Sequence, residues 1–159
     1  NHLFFIVSTS VYSSTYQTNN GGFTDKFSTK FNGNYNGSAM IGKEWALERD
    51  RAIEFSFQIL TSGGLRYTPI DEEQSALTGT TVYQEDRAYE SKVDPYARMD
   101  WRIAYRKNNP NTSWKLSLDV QNATNRTNYK RPFYDAWLNE IHFEEQASLV
   151  PVLSYTLDF

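Results

Sequence analysis

Arg98, Asp100, Arg102 and Arg106 occupy alternate positions of residues 96–106, with Ala97, Met99, Trp101, Ile103 and Tyr105 between them. In an extended chain successive side chains point to opposite faces, so this spacing gathers three guanidinium groups and a carboxylate on one face. Guanidinium groups do not enter lipid or a dry core without a large desolvation cost, so the face meets water or a partner. Its chemistry is either polar contact with a partner or solute, or a ladder of ion pairs that only solvates the face. A second set is Tyr67 with the acidic stretch Asp71, Glu72 and Glu73. These oxygens can bind a solute or a cation, but the spacing lacks the alternating ligands of a calcium loop, and a solvated loop is the better reading. A third set, Tyr129, Phe133, Tyr134 and Trp137, offers aromatic faces that either stack on a sugar or a lid partner or pack on neighbouring loops.

Bond-making chemistry finds little purchase. His2 and His142 are too isolated to form a metal pair, and His142, beside Phe143, Glu144 and Glu145, reads as a surface histidine. Cysteine is absent, which removes disulfides, thiolate zinc sites and thiol nucleophiles together. No hydroxyl sits in a recognisable catalytic motif. No catalytic residue, metal ligand or cofactor is assigned, and an enzyme is not expected. Sequons at Asn111, Asn122 and Asn125 match the glycosylation pattern only formally. A net charge of -3 and a pI near 5.4 argue against a nucleic-acid partner.

The elements that must position these groups are strands. The 159 residues have a mean hydropathy of -0.66, which reads as a soluble domain, yet a membrane barrel hides its apolar residues in alternation and gives the same bulk value. No run approaches the roughly 18 consecutive apolar residues of a spanning helix, so any membrane crossing here is by a barrel. Aromatics make up 16% of the chain, which suits interfacial girdles or an aromatic-rich soluble β-domain.

Composition and period-two alternation predict about six antiparallel strands, residues 3–17, 23–45, 52–62, 96–106, 113–121 and 147–159, the first with apolar residues on both faces near its start, so that its inside and outside are ambiguous. In the second, Phe27, Phe31, Tyr35, Ala39, Ile41 and Trp45 share one parity, and Gly33, Gly37 and Gly42 mark bends, bulges or close backbone approach. In the last, Leu149, Pro151, Leu153, Tyr155, Leu157 and Phe159 make an apolar face against Ser148, Val150, Val152, Ser154, Thr156 and Asp158. Its length matches the roughly 9 to 11 residues with which a tilted strand crosses hydrocarbon. The links near Glu48 and Asn109 are short. Those at the Asn19, Asn20, Gly21, Gly22 cluster, at 67–94 and at 127–146 are longer, and 67–94 reads as a structureless connection of unusual length. Short turns on one rim and long loops on the other are the outer-membrane barrel pattern, with the short turns in the periplasm. Six strands fall short of the roughly eight of the smallest membrane barrels, so the expected fold is an all-β, antiparallel, up-and-down wall of a larger transmembrane barrel. The opening N-H-L-F-F has no initiator Met or signal-peptide pattern, and residue 1 is not expected to be the native start.

Four blocks then carry a resemblance. G-G-L-R-Y-T-P-I-D (63–71), Y-A-R-M-D-W-R-I-A-Y-R (96–106), L-S-L-D-V-Q-N-A-T-N-R (116–126) and L-V-P-V-L-S-Y-T-L-D-F (149–159) resemble the C-terminal barrel of TonB-dependent outer-membrane receptors, most closely those of the Bacteroidetes lineage. The family often carries a basic residue where Leu65 stands, so this loop base is less charged. The resemblance implies that residues 1–159 are the C-terminal part of a barrel of roughly 22 strands in the bacterial outer membrane, with its plug domain and earlier strands elsewhere. It implies active import of a nutrient such as a glycan, siderophore or peptide. Implied partners are outer-membrane lipid, the protein's own plug and remaining strands, the TonB energising complex reached through the N-terminal part, the barrel-assembly machinery and a surface lipoprotein. On this reading Arg98, Asp100, Arg102 and Arg106 face the lumen, where they contact plug or substrate or only pair with one another. Tyr67, Asp71, Tyr129, Phe133, Tyr134 and Trp137 lie in external loops as substrate-binding candidates, and Tyr155 with Phe159 resembles the assembly signal. A segment held by an assembly or secretion machine through strand pairing is a further possibility.

The residues leave another class open: a soluble β-sandwich module that uses exposed aromatics to bind carbohydrate. The two differ in the fate of the apolar faces, which meet one another in a sandwich and meet lipid or detergent in a barrel.

Overall fold

The alternating segments do fold as strands. The computed structural model describes residues 2–20 and 23–159. In chain order the elements are β1 (His2–Val11), β2 (Thr15–Asn20), β3 (Phe23–Ser28), β4 (Tyr35–Leu47), β5 (Arg51–Ser62), β6 (Arg66–Tyr67), helix α1 (Glu72–Thr78), a 3₁₀ turn (Glu85–Arg87), β7 (Ser91–Lys92), β8 (Tyr96–Asn108), β9 (Ser113–Gln121), β10 (Tyr129–Asp135), β11 (Glu140–Glu145) and β12 (Val150–Asp158). Six of them form one antiparallel sheet in the order β1-β4-β5-β8-β9-β12, and β2-β3, β6-β7 and β10-β11 are two-stranded pairs in the connections. Among the described residues no helix is long and apolar enough to cross a membrane, which has no bearing on crossing by strands.

The register sorts the side chains into two faces. Phe5, Ile41, Phe57, Trp101, Val120 and Pro151 form one row across all six strands. Trp45, Ile53, Tyr105, Leu116 and Tyr155 form another on the same face, nearer the short turns. The opposite face carries rows such as Gly42, Ser56, Arg102 and Asp119. Slipping β4, β5, β8, β9 or β12 by a single residue would exchange its two sets, so the agreement of these five pins the register, whereas β1 carries Phe4 and Ile6 on one face and Leu3, Phe5 and Val7 on the other.

The sheet is open: β1 and β12 are each paired on one side only. Large side chains of the apolar face stay exposed, Leu153 at 72% and Ile103 at 44% among them. Apart from Val120, the buried apolar residues lie elsewhere. Ala52 and Ala104 sit beneath the charged side chains of the polar face, and Ile70, Val93 and Tyr134 lie in the connections.

The chain turns tightly between β4 and β5, where Arg49 and Asp50 both take positive φ, and again between β8 and β9. The three longer connections, β1 to β4, β5 to β8 and β9 to β12, all leave the opposite rim. The predicted alternation of short and long links is therefore present.

Several expectations need correction. The predicted strands 3–17 and 23–45 each break, at 12–14 and at 29–34, and the pieces nearest the loop pair as the β2-β3 hairpin. The second break is held by Asn32, whose Oδ1 accepts from the Ser14 backbone at 3.0 Å and from Asn34 Nδ2 at 3.1 Å. Asn34 turns the chain at φ 78. Phe27 therefore stacks on Tyr16 at 5.6 Å instead of joining the face of β4, and Phe31 is exposed at the turn. Gly33 does mark close approach, since a Cβ on Gly63 would lie 1.7 Å from the Gly33 carbonyl oxygen. Gly42 differs: it is the side-chain ring of Phe4, not another backbone, that lies over it. The 67–94 connection, expected to be structureless, contains α1, the 3₁₀ turn and β7, which pairs with β6 at its start, and the 127–146 link contains the β10-β11 hairpin. Gly21 and Gly22 of the expected turn cluster lie outside the described residues.

Candidate functional site

On the polar face, strand alternation brings Arg98, Asp100, Arg102 and Arg106 to one side of β8, as their spacing required. Each cation meets a carboxylate: Arg98–Asp100 at 2.8 Å, Arg102–Asp119 at 3.6 Å and Arg106–Glu44 at 3.3 Å, with Lys115–Glu54 at 3.3 Å completing the set. The last two reach across an intervening strand, over the small side chains of Ala52 and Ala104, which the arginine and lysine stems cover. Asp100 also accepts from the backbone N–H of Asn122 at 2.8 Å. A concave region of about 450 Å³ lies beside the ladder, bordered by Gln58, Gln121 and the Arg98, Asp100, Arg102 and Asp119 side chains. With its charges balanced in pairs, this face offers hydrogen-bonding capacity rather than a focus of one sign.

The connections at the other rim hold the remaining candidates. Asn122, 1% exposed, anchors their base: its Nδ2 donates to the carbonyls of Arg126 at 2.9 Å and Ala147 at 3.3 Å, and its Oδ1 accepts from the Arg126 N–H. Asn128 extends β8 by pairing its amide with both the N–H and the C=O of Ala97, each at 3.0 Å. From this base rises the β10-β11 hairpin. Tyr129 on β10 lies 5.4 Å from Phe143, and Tyr67 on β6 meets the same ring edge-on at 5.9 Å. Two predicted residues far apart in sequence are thus joined through a third that the prediction missed. The alternation Ile141, Phe143 against His142, Glu144 was the available signal for it.

The other candidates separate. Asp71 is the N-cap of α1, its Oδ1 accepting from Gln74 N–H at 3.0 Å, so its carboxylate serves the helix. Tyr134, expected among the aromatic stacking candidates, is buried; its hydroxyl donates to Asn139 Oδ1, and its N–H donates to Thr81 Oγ1 at 3.0 Å. This takes the packing alternative and ties the hairpin to the 63–95 connection. Phe133 lies over His142, with ring centroids 6.2 Å apart. Trp137 stands 97% exposed at the hairpin tip. Glu144 receives hydrogen bonds from Lys130 at 2.9 Å and Arg131 at 3.0 Å, which hold its carboxyl below the usual glutamate range. Glu90 is held low in the same way by Arg87. Among the described residues no three His, Asp or Glu side chains come together as metal ligands.

At the opposite rim Tyr155 is exposed on the edge strand and lies 6.3 Å from Trp114, which in turn lies 5.3 Å from Tyr105; Phe159 is fully exposed. Lys43 Nζ sits 5.3 Å from the Trp45 ring on the same face. No protein-family model, no curated protein and no solved structure matches the chain.

Proposed function

We propose that the chain is wall and external loops of a plugged, TonB-dependent outer-membrane transporter, and that it takes part in active import of a nutrient. The observation that carries this reading is the sorting of the open sheet: one uncovered apolar face and one face of paired charges. A lipid-facing wall needs the first, and a water-filled or plug-filled lumen needs the second. Trp45, Tyr105, Trp114 and Tyr155 gather toward the short-turn rim, as interfacial aromatics do. β4 and β8 have 13 residues each. At about 3.3 Å per residue and a tilt of about 40° such strands rise roughly 30 Å, enough to cross hydrocarbon. Both free edges accept further strands, and the ordered connections form the external rim that meets solute. Transport would proceed by capture at the loops, rearrangement of the plug by mechanical pulling and passage along the polar wall, with no bond made or broken. The sandwich alternative needs a second sheet over the apolar face, and the described residues supply none.

The test is partitioning. Residues 1–159 are expected to aggregate in plain buffer and to show β-structure in detergent micelles by circular dichroism. A folded monomer in detergent-free buffer would overturn the membrane reading and favour the soluble binding module.

A further inference from the structure

At the long-loop rim a cavity of about 250 Å³ opens between the end of the β2-β3 segment, the 63–95 connection and β10. Its wall combines Lys30, Arg66 and Arg131 with Tyr67, Tyr83 and Tyr89. Arg131 is already committed to Glu144 at 3.0 Å. Lys30 and Arg66 have no carboxylate partner among the described residues, and the lining contains one acid, Glu85. Arg66 is held in place by Nη1, which donates to the carbonyls of Tyr89 at 3.0 Å and Glu90 at 3.1 Å.

Two of the tyrosines, Tyr67 and Tyr89, are held as well. Phe143 braces Tyr67 edge-on. Tyr89 sits at φ 57, which costs a residue with a Cβ about 1 kcal/mol. It is kept there by its N–H bond to Thr68 Oγ1 at 3.2 Å and by Arg66 on its carbonyl. A backbone held in a sparsely populated conformation beside a cavity, as at Tyr89, marks a place where orientation matters. Tyrosine supplies a flat face for a ring and a hydroxyl for its substituents.

We propose that this cavity binds an anionic, ring-bearing solute, a saccharide unit carrying a carboxylate or sulfate, with Lys30 and Arg66 taking the charge and the tyrosines the ring. Its place in uptake rests on the transport reading, whereas the binding itself does not.

The experiment is isothermal titration calorimetry of the folded chain, in detergent or in buffer according to the partitioning result. The probes are digalacturonate, cellobiose as the uncharged ring, and inorganic sulfate as charge without a ring. Digalacturonate is expected to bind saturably, about tenfold or more tighter than either control. Lys30→Gln and Arg66→Gln are each expected to weaken it about tenfold. Arg66 also supports the backbone, so Lys30→Gln, which removes no hydrogen bond, is the decisive variant, with circular dichroism confirming an unchanged fold. Equal affinity for cellobiose or sulfate, no saturable heat at millimolar probe, or full affinity in Lys30→Gln would each overturn the proposal. A chain that folds only in detergent yet binds no uronate loses this site and keeps the transport reading. One that folds in plain buffer and binds uronate does the reverse.

Discussion

Asn122 and Asn128 show how much single polar side chains contribute at the loop base. Each replaces backbone partners that a chain leaving a sheet would otherwise lack, and buried backbone groups left unpaired are costly. Asn122→Ala removes three hydrogen bonds from a site with no room for bulk water, and a loss of about 2 kcal/mol or more is expected, read as a lowered denaturation midpoint. An unchanged midpoint would mean that the base is held by the strands alone. The same geometry disposes of the Asn122 sequon, because both amide hydrogens are already donated inward. Asp71 makes a similar point about candidates: an acidic residue beside two more read as part of a solvated loop, and its carboxylate instead begins a helix.

The β10-β11 hairpin is the element on which the loop layer depends, since it carries Tyr129, Tyr134 and Phe143 and is clipped along one edge by Glu144. Because Lys130 and Arg131 depress the Glu144 pKa, their contribution is present in full above the unfolded value near 4.5 and is lost as pH falls through the lower folded value. The protection of hairpin amides against hydrogen exchange, relative to β4-β5 amides, is therefore expected to fall on acidification below about pH 4.5. A flat ratio from pH 6 to 3.5 would show that the clip is idle. The hairpins also explain the broken strands: at 12–14 and 29–34 the chain leaves the sheet because β2 and β3 find each other, and Asn32 fixes the corner.

At the scale of the whole molecule the question is what covers the apolar face. Ile103 lies mid-strand on that face and is 44% exposed, whereas Gln58 lies on the charged one, across from Asp100. If the face meets hydrocarbon, Ile103→Lys costs about 2 to 4 kcal/mol in a bilayer or micelle, while an ordinary wet surface would register within about 0.5 kcal/mol. Gln58→Lys is expected to be near neutral in either case. Equal tolerance of both substitutions would sink the lipid-facing wall.

By itself the sequence determined where the six strands of the main sheet run, though not the breaks at 12–14 and 29–34, the tight turns joining two pairs of them, and the faces of the side chains from Tyr35 onward, because a period of two in side-chain type is a local property that survives without knowledge of neighbours. It also placed Arg98, Asp100, Arg102 and Arg106 together, since they share one strand. Only the tertiary structure decided what depends on distant partners. It bound Arg106 to Glu44 and Lys115 to Glu54 across an intervening strand, joined Tyr67 to Tyr129 through Phe143, and buried Tyr134 while leaving Trp137 exposed. For the ion pairs the physical reason is strand register, which all the strands of the sheet fix together, and for the aromatic residues it is the packing of connections whose two-stranded pairs lie outside that sheet.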